Sequence, residues 1–133
     1  MKTKMKNEGV VFLIVVFAIA LLATITVGIL VMATEELQLM QNELYAAQAM
    51  CIAEAGLNDA FAQIRANPNW ATGIPNTSFN GGSYIVTVEA TPKRRITSTG
   101  TSSQGYMARM VADVTIGTNS PCKIRIDKLR VNE

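Results

Sequence analysis

The most prominent pattern in the chain is an uninterrupted apolar segment near its N-terminus. Residues 10–33 carry no charge, and 21 of these 24 residues are apolar. Because a helix rises about 1.5 Å per residue, a helical segment of this length spans roughly 36 Å, enough to cross a hydrocarbon core of about 30 Å with some tilt. The pattern therefore predicts a membrane-spanning helix over residues 10–33.

The charges on either side of this segment predict its orientation. It is preceded by Lys2, Lys4 and Lys6 and followed by Glu35 and Glu36. Lysines before a membrane segment favour a cytoplasmic N-terminus, which would export residues 34–133. A secretory signal peptide cleaved near Ala33 is the alternative, although the apolar part of such a signal usually has only about 7 to 15 residues.

After residue 33 the pattern changes from uniformly apolar to amphipathic. The next stretch is rich in Ala, Glu, Gln, Leu and Met and contains no proline before Pro68, so it predicts that the helix continues over residues 34–66. Apolar residues at spacings of three and four predict a stripe that docks on the rest of the exported part. The stripe consists of Leu37, Met40, Leu44, Ala47, Cys51, Leu57, Phe61 and Ile64.

Residues 67–133, which we call the head, form a region in which Gly, Ser, Thr and Asn are frequent and short segments have β patterning. Strands are predicted at residues 84–88, 95–99 and 107–116, with turns at 91–93 and 100–105 and an edge strand at 123–126. In the longest strand, alternate residues from Ala108 to Ile116 are apolar and should face the helix. The predicted fold class is α+β: a long N-terminal helix whose C-terminal half packs on a small antiparallel sheet.

Composition excludes several kinds of site. The chain has no histidine and only two cysteines, Cys51 and Cys122, which rules out His-dependent triads, His-ligated zinc and CxxC metal knuckles. No metal or cofactor is expected. A disulfide between Cys51 and Cys122 could form if residue 122 folds back over the helix, and a buried free Cys51 is the alternative.

The charged residues do not suggest catalysis or nucleic-acid binding. The chain has 12 Lys and Arg against 10 Asp and Glu, without the aromatic-interleaved basic face that nucleic-acid binding requires. Residues 93–95 are basic but are expected in solvent at a strand edge. Glu54 is expected either to contact a neighbouring subunit or the head, or to be an exposed helix carboxylate. Glu89 and Asp113 lack pocket-forming neighbours, so we expect no enzymatic activity.

The junction at Gly9 resembles the signal of type IV pilins and pseudopilins. A short basic leader, residues 1–9, ends in Gly9 and meets the apolar segment at Val10 with no spacer. In that family the prepilin peptidase, a membrane aspartyl peptidase, removes the leader and methylates the new N-terminal amine. The resemblance implies cleavage between Gly9 and Val10, and it implies that the helix is kept, first as an anchor and later in a filament core.

The exported half of the helix resembles the PilX-type minor pilins. The shared features are an acidic pair after the membrane segment, an asparagine, and an Ala-Glu-Ala-Gly block, which here are Glu35-Glu36, Asn42 and residues 53–56. The resemblance covers residues 1–66 well and the head only in its general pattern. It implies a pilin-like fold and a structural role.

Residue 14 departs from the pattern of major pilins. Most of them have Glu at the fifth mature position, and this chain has Ile14. A carboxylate there would neutralise a neighbour's N-terminal ammonium in an apolar filament core, where an unpaired charge is costly. In the family, the K-type pseudopilin lacks this Glu and lies at the tip, so the resemblance implies tip placement here.

Together these features lead us to expect a minor pilin or pseudopilin of a type IV pilus or a type II secretion-like filament. The implied partners are the prepilin peptidase, other pilins or pseudopilins and the inner-membrane assembly platform. The implied location is the bacterial inner membrane for the precursor, and then the pilus or pseudopilus. The alternatives are a single-pass membrane protein with an exported binding domain and a secreted domain cleaved near Ala33.

Overall fold

The protein is described by a computed structural model, which covers residues 4–90, 93–117 and 122–132. Its elements are one helix, α1 (Lys4–Ala66), followed by five strands: β1 (Ile74–Phe79), β2 (Gly82–Glu89), β3 (Arg94–Thr101), β4 (Met107–Ile116) and β5 (Ile124–Val131). The strands form one antiparallel sheet in the order β1-β2-β3-β4-β5. This confirms the predicted α+β class. The chain divides into two compact units, Met1–Gln41 and Asn42–Glu133.

Helix α1 ends where the sequence predicts. The amide of Asn67 donates to the Gln63 carbonyl at 2.9 Å, and the Asn67 side chain accepts from the amide of Asn69 at 3.0 Å. Pro68 lies between them, where it disfavours a further helical turn. A turn closed by the Trp70 amide, which donates to the Asn67 carbonyl at 2.9 Å, leads from the helix toward β1.

Strand β1 was not predicted from the sequence. It contains Pro75, and its pairing with β2 shifts register between Ile74 and Thr77. Proline is tolerated there because β1 is an edge strand, where the missing amide need not join a ladder. The turn that follows has positive φ at Asn80 (48°) and Gly81 (79°). Asn-Gly is a strong hairpin signal, and it could have revealed β1.

The remaining strands confirm those predicted at residues 84–88, 95–99 and 107–116. The β3–β4 turn is closed by Ser102, whose amide donates to the Tyr106 carbonyl at 2.8 Å and whose Oγ accepts from the Tyr106 amide at 3.1 Å. Gly105 has a φ of 85° in this turn. Of the turn predicted at 91–93, residues 91 and 92 lie outside the described residues. Strand β5 is the predicted edge strand, although it is longer than residues 123–126.

The core of the unit Asn42–Glu133 lies between the sheet and the part of α1 that belongs to this unit. Alternate residues of β4, namely Ala108, Met110, Ala112 and Val114, are buried as predicted, and Ile116 is half-buried. The opposing helix side chains are the small Ala49, Ala53 and Ala60 and the larger Ile52, Leu57 and Ile64. At Ala49 and Ala53 the helix backbone comes very close to the sheet.

Candidate functional site

The first candidate surface is the apolar part of α1. The large apolar side chains from Val10 to Met32 are exposed all around the helix, Phe12 and Leu13 by 70% each. An isolated helix with apolar side chains on every side requires lipid or other apolar helices around it. By length and composition it is the one described helix that could cross a membrane, and a signal sequence near an N-terminus would satisfy the same criteria.

The polar side chains within this segment satisfy their hydrogen bonds locally. The hydroxyl of Thr24 donates to the Leu21 carbonyl, and that of Thr26 donates to the Leu22 carbonyl, both at 2.8 Å. Such bonds within a helix remove the cost of placing a hydroxyl in an apolar environment. The two threonines are therefore compatible with a membrane or with a filament core.

The residues predicted for processing and tip placement lie on this exposed surface. Gly9 and Val10 are within α1 and exposed, and no atom lies within 4 Å of a Cβ built on Gly9. Ile14 is also exposed. Along the described part of the chain, nothing covers the Gly9–Val10 bond or the side chain of Ile14.

The second candidate surface is the contact between helix and sheet. Its centre is the close approach of Gly100 to the helix backbone, where an added Cβ would overlap the Ala49 carbonyl oxygen and the Ala53 amide nitrogen. A Cβ on Gly56 would lie 2.5 Å from Ser98 Oγ. At Gly100 the overlapping atoms belong to the helix backbone, so only glycine fits there. The contact is therefore fixed by small residues on both sides.

Several side chains fix the helix on the sheet at the edges of this contact. The Tyr84 hydroxyl donates to the Asp59 carboxylate at 3.0 Å, and burial followed by this bond raises the pKa of Tyr84. The Tyr106 hydroxyl donates to Asn42 Oδ1, and the Tyr106 ring stacks on Tyr45 with centroids 5.9 Å apart. Asn42, which was singled out only through the family resemblance, thus has a contact within its own chain.

The predicted docking stripe requires correction in its first half. Of its members, Leu57 and Ile64 are buried and Phe61 packs on the core. Leu44 is 65% exposed, Ala47 and Cys51 are exposed, and Leu37 and Met40, in the other unit, are 58% and 66% exposed. In its first half the prediction followed Leu37, Met40 and Leu44, whereas the sheet packs on Ala49, Ile52 and Ala53. The buried positions are Ala49, Ile52, Ala53, Gly56, Leu57, Ala60 and Ile64.

The predicted disulfide is also corrected. Both cysteines are free: Cys51 is exposed on the helix, and Cys122 is half-buried and donates to the Gly117 carbonyl at 3.2 Å. Cys51 is therefore not the buried thiol of the alternative prediction either. Cys122 lies just before β5, which pairs along β4 rather than folding over the helix. Glu54 is an exposed helix residue.

Charged residues form two clusters on the sheet. Asp113 accepts from Arg95 at 2.8 Å and from Arg130 at 3.3 Å, and the hydrogen bond from Arg95 is the main reason that its pKa is lowered. Asp127 accepts from Thr115 at 2.6 Å and from Arg125 at 2.8 Å, which lower its pKa in that order.

These clusters involve the basic residues 93–95, which were expected in solvent. Arg95 bonds Asp113, and Lys93 lies 3.8 Å from Asp127. Arg94 donates to the Pro68 carbonyl. Arg95 therefore ties β3 to β4, Lys93 reaches β5, and the two carboxylates act as structural partners in these pairs.

Comparisons with protein-family models, with characterised proteins and with solved structures found no significant match.

Proposed function

We propose that the chain is a minor pilin or pseudopilin, a structural subunit of a type IV pilus or a type II secretion-like filament. The observation that carries the proposal is the apolar surface of α1. It begins directly after Gly9, surrounds the helix over residues 10–33 and is continuous in sequence with the helix that packs on the sheet. A subunit that passes from a bilayer into a filament needs such a helix, because both surroundings are apolar on every side.

In this role the Gly9–Val10 bond is the processing site. Cleavage there by prepilin peptidase would remove the basic leader and leave an amine at Val10, beside the apolar surface. Both residues are exposed, so access to this bond needs no unfolding of the unit Asn42–Glu133. Residues 10–33 would then form the filament core, with the head outside it.

Ile14 carries the proposal of tip placement. An ammonium at Val10 in a filament core would need a nearby carboxylate, and Ile14 cannot supply one to a neighbouring subunit. A subunit at the tip has fewer neighbouring subunits, so fewer N-terminal ammonium groups need a carboxylate from it. We expect Ile14→Glu to raise the amount of this subunit recovered along the filament, as quantified by immunogold labelling of sheared filaments. Unchanged tip labelling would contradict this role of Ile14.

The experiment that tests the function is the intact mass and N-terminal sequence of the chain from membrane and filament fractions, with and without prepilin peptidase. We expect a start at N-methylated Val10 that is lost without the peptidase. Gly9→Ala provides a residue-level version, because nothing packs against this position and the head should be unaffected. We expect the uncleaved precursor to accumulate in the membrane.

Two other functions remain as named outcomes of that experiment. An intact leader in wild-type cells would indicate a single-pass membrane protein with an exported binding domain. A start at Thr34 would indicate a secreted domain released by a signal peptidase. The pilin proposal is favoured over the secreted domain because the apolar part of a cleaved signal peptide usually has only about 7 to 15 residues, whereas residues 10–33 form a longer apolar segment.

A further inference from the structure

Strand β5 leaves one of its two edges without a neighbouring strand. In the described sheet it is the last strand, and it pairs with β4. Alternate residues of a strand direct their backbone N–H and C=O groups to opposite edges, so about half of these groups in β5 point away from β4. The other outer strand, β1, contains Pro75 and a shift of register, whereas β5 contains no proline. Strand β5 is therefore the edge that a further strand can join.

The side chains of β5 that share the helix-covered face of the sheet are apolar and exposed. Ile126, Leu129 and Val131 lie opposite three residues of β4 that are at most 6% exposed. They are themselves 48%, 50% and 38% exposed. A strand added beside β5, with apolar residues on this face, would cover part of this row.

The opposite face of β5 carries a surplus of positive charge. Arg125 bonds Asp127 but its side chain is 76% exposed, and Arg130 bonds Asp113 of β4, which also accepts from an arginine of β3. Lys128 is exposed opposite the same Asp113. Strand β5 thus has three cations against one carboxylate, and the nearest carboxylate of β4 is already shared.

A bulge at Asp127 sets the order of residues on the two faces. Ile126 and Lys128 lie opposite consecutive residues of β4, so Asp127 is an extra residue of β5. Seven residues of β4, Met110–Ile116, therefore match the eight residues of β5. A regular strand of seven residues on the free edge would meet the apolar face and the basic face in strict alternation.

We propose that β5 binds an extended segment of another protein, in which apolar and acidic residues alternate, as an additional strand of the sheet. The backbone of the segment pairs with the free edge, its apolar residues cover the exposed row, and its acidic residues face Arg125, Lys128 and Arg130. The charges select this occupant, because a second copy of β5 would place like charges beside these cations. An anionic lipid headgroup would leave the backbone groups of the edge unpaired.

A fluorescent peptide, Val-Glu-Val-Glu-Val-Glu-Val, tests the proposal through its anisotropy with the full chain in a neutral detergent. We expect saturable binding that is roughly tenfold tighter than that of a peptide of the same composition whose glutamates are consecutive, because only alternation matches both faces. Equal binding of the two peptides, or no binding of either, would overturn the proposal.

A charge exchange at Lys128 tests the acidic residues. Lys128→Glu should weaken binding about fivefold, whereas Arg65→Glu, the same charge change at an exposed helix position, should leave it unchanged. A peptide with lysine at its central position should bind Lys128→Glu more tightly than the original peptide does. Misfolding cannot produce such a gain, and its absence would overturn the assigned charge pairing.

Methylation of the peptide backbone separates strand pairing from charge attraction. In an extended peptide the N–H groups of the valines point to one edge and those of the glutamates to the other. We expect that N-methylation of one of these two sets weakens binding roughly tenfold and that N-methylation of the other set is tolerated. Equal effects of the two methylations would overturn the addition of a strand.

Two further results would identify a different occupant and overturn the proposal. Dimers of the wild-type chain that Lys128→Glu dissociates, measured by light scattering, would indicate a second copy. Tighter binding of soluble short-chain phosphatidylserine than of the peptide would indicate a lipid surface.

This proposal goes beyond the pilin function and does not rest on it. All of its residues lie in the unit Asn42–Glu133, outside the leader and the apolar segment. None of the peptide measurements bears on cleavage after Gly9, which the N-terminal sequence measures separately. The two proposals can therefore fail independently.

Discussion

The two parts of helix α1 bury apolar surface in different ways. In the unit Met1–Gln41 the large apolar side chains from Val10 to Met32 are exposed all around the helix, as is typical of a helix that lipid or other apolar helices surround. From Asn42 onward one stripe of the helix is buried against the chain's own sheet, and it consists of Ala49, Ile52, Ala53, Gly56, Leu57, Ala60 and Ile64. The comparison shows that hydrophobicity alone does not indicate which helix residues dock on the head. Alanine and glycine share the contact with three large apolar residues, while other large apolar residues of the same helix remain exposed.

The largest effect should come from truncating a large apolar side chain on the buried surface of the helix, compared with the same truncation on its exposed surface. Ile52 is fully buried, and Leu44 is 65% exposed on the same helix. We expect Ile52→Ala to lower the free energy of unfolding of the head by about 3 kcal/mol, because it leaves a cavity. Leu44→Ala should cost less than about 0.5 kcal/mol. Urea unfolding of the full chain in mild detergent, followed by Trp70 fluorescence, measures both, and equal losses would contradict the assigned docking surface.

A smaller effect should distinguish the glycines of the two units. Gly100→Ala would push a methyl group into the backbone of Ala49 and Ala53, and we expect a loss of about 2 kcal/mol. Gly28 has no atom within 4 Å of an added Cβ, so Gly28→Ala should leave unfolding of the head unchanged. The same urea titration compares them. A tolerated Gly100→Ala would mean that helix and sheet are further apart than described.

The contact between Tyr106 and Asn42 holds the helix on the sheet at the point where the unit Asn42–Glu133 begins. Tyr106→Phe removes the hydroxyl that donates to Asn42 but keeps the ring on Tyr45. We expect a loss of about 0.5 kcal/mol, since the bond is exposed. Amide hydrogen exchange should accelerate at residues 42–45 and stay unchanged at residues 57–60. Equal acceleration at residues 42–45 and 57–60 would contradict a local effect of this hydrogen bond.

The smallest effect should be a pH dependence confined to the sheet. The pKa of Asp113 is lowered from its ordinary value of 3.8, chiefly by the hydrogen bond from Arg95. Its stabilisation is therefore fully present above the unfolded pKa and is lost as the pH falls through the lower folded pKa. Asp113→Asn should reduce stability slightly at neutral pH and weaken the decline below about pH 4. Unfolding titrations between pH 6 and 3 measure the slope, and an unchanged slope would contradict the pairing.

The sequence predicted those features that rest on one dominant local signal. The charge-free run from Val10 to Ala33, the stop before Pro68 and the alternation in β4 each predict their element correctly. It missed β1, because Pro75 and the register shift disrupt alternation, although Asn80-Gly81 marked the hairpin.

The candidate surfaces were predicted only in part because they depend on distances across the fold. The close approach of Gly100 to the helix backbone at Ala49 and Ala53 cannot be derived from helical spacing. The prediction of a disulfide likewise needed a position for Cys122 over the helix, whereas β5 pairs along β4. The pairing of Asp113 with Arg95 joins two strands whose exact register the pattern did not specify.

The strictly consecutive order of the strands has a consequence for the order of folding. Each strand pairs with the one that precedes it in the chain, so the sheet needs no late insertion between strands already paired. Contacts between neighbours in sequence close with little loss of chain entropy and form quickly. Because synthesis proceeds from the N-terminus, β1 to β4 can pair on the helix while β5 is still emerging. Strand β5 would then be the last strand added to the sheet, so the ion pairs that Asp127 and Arg130 make with their neighbours would form last.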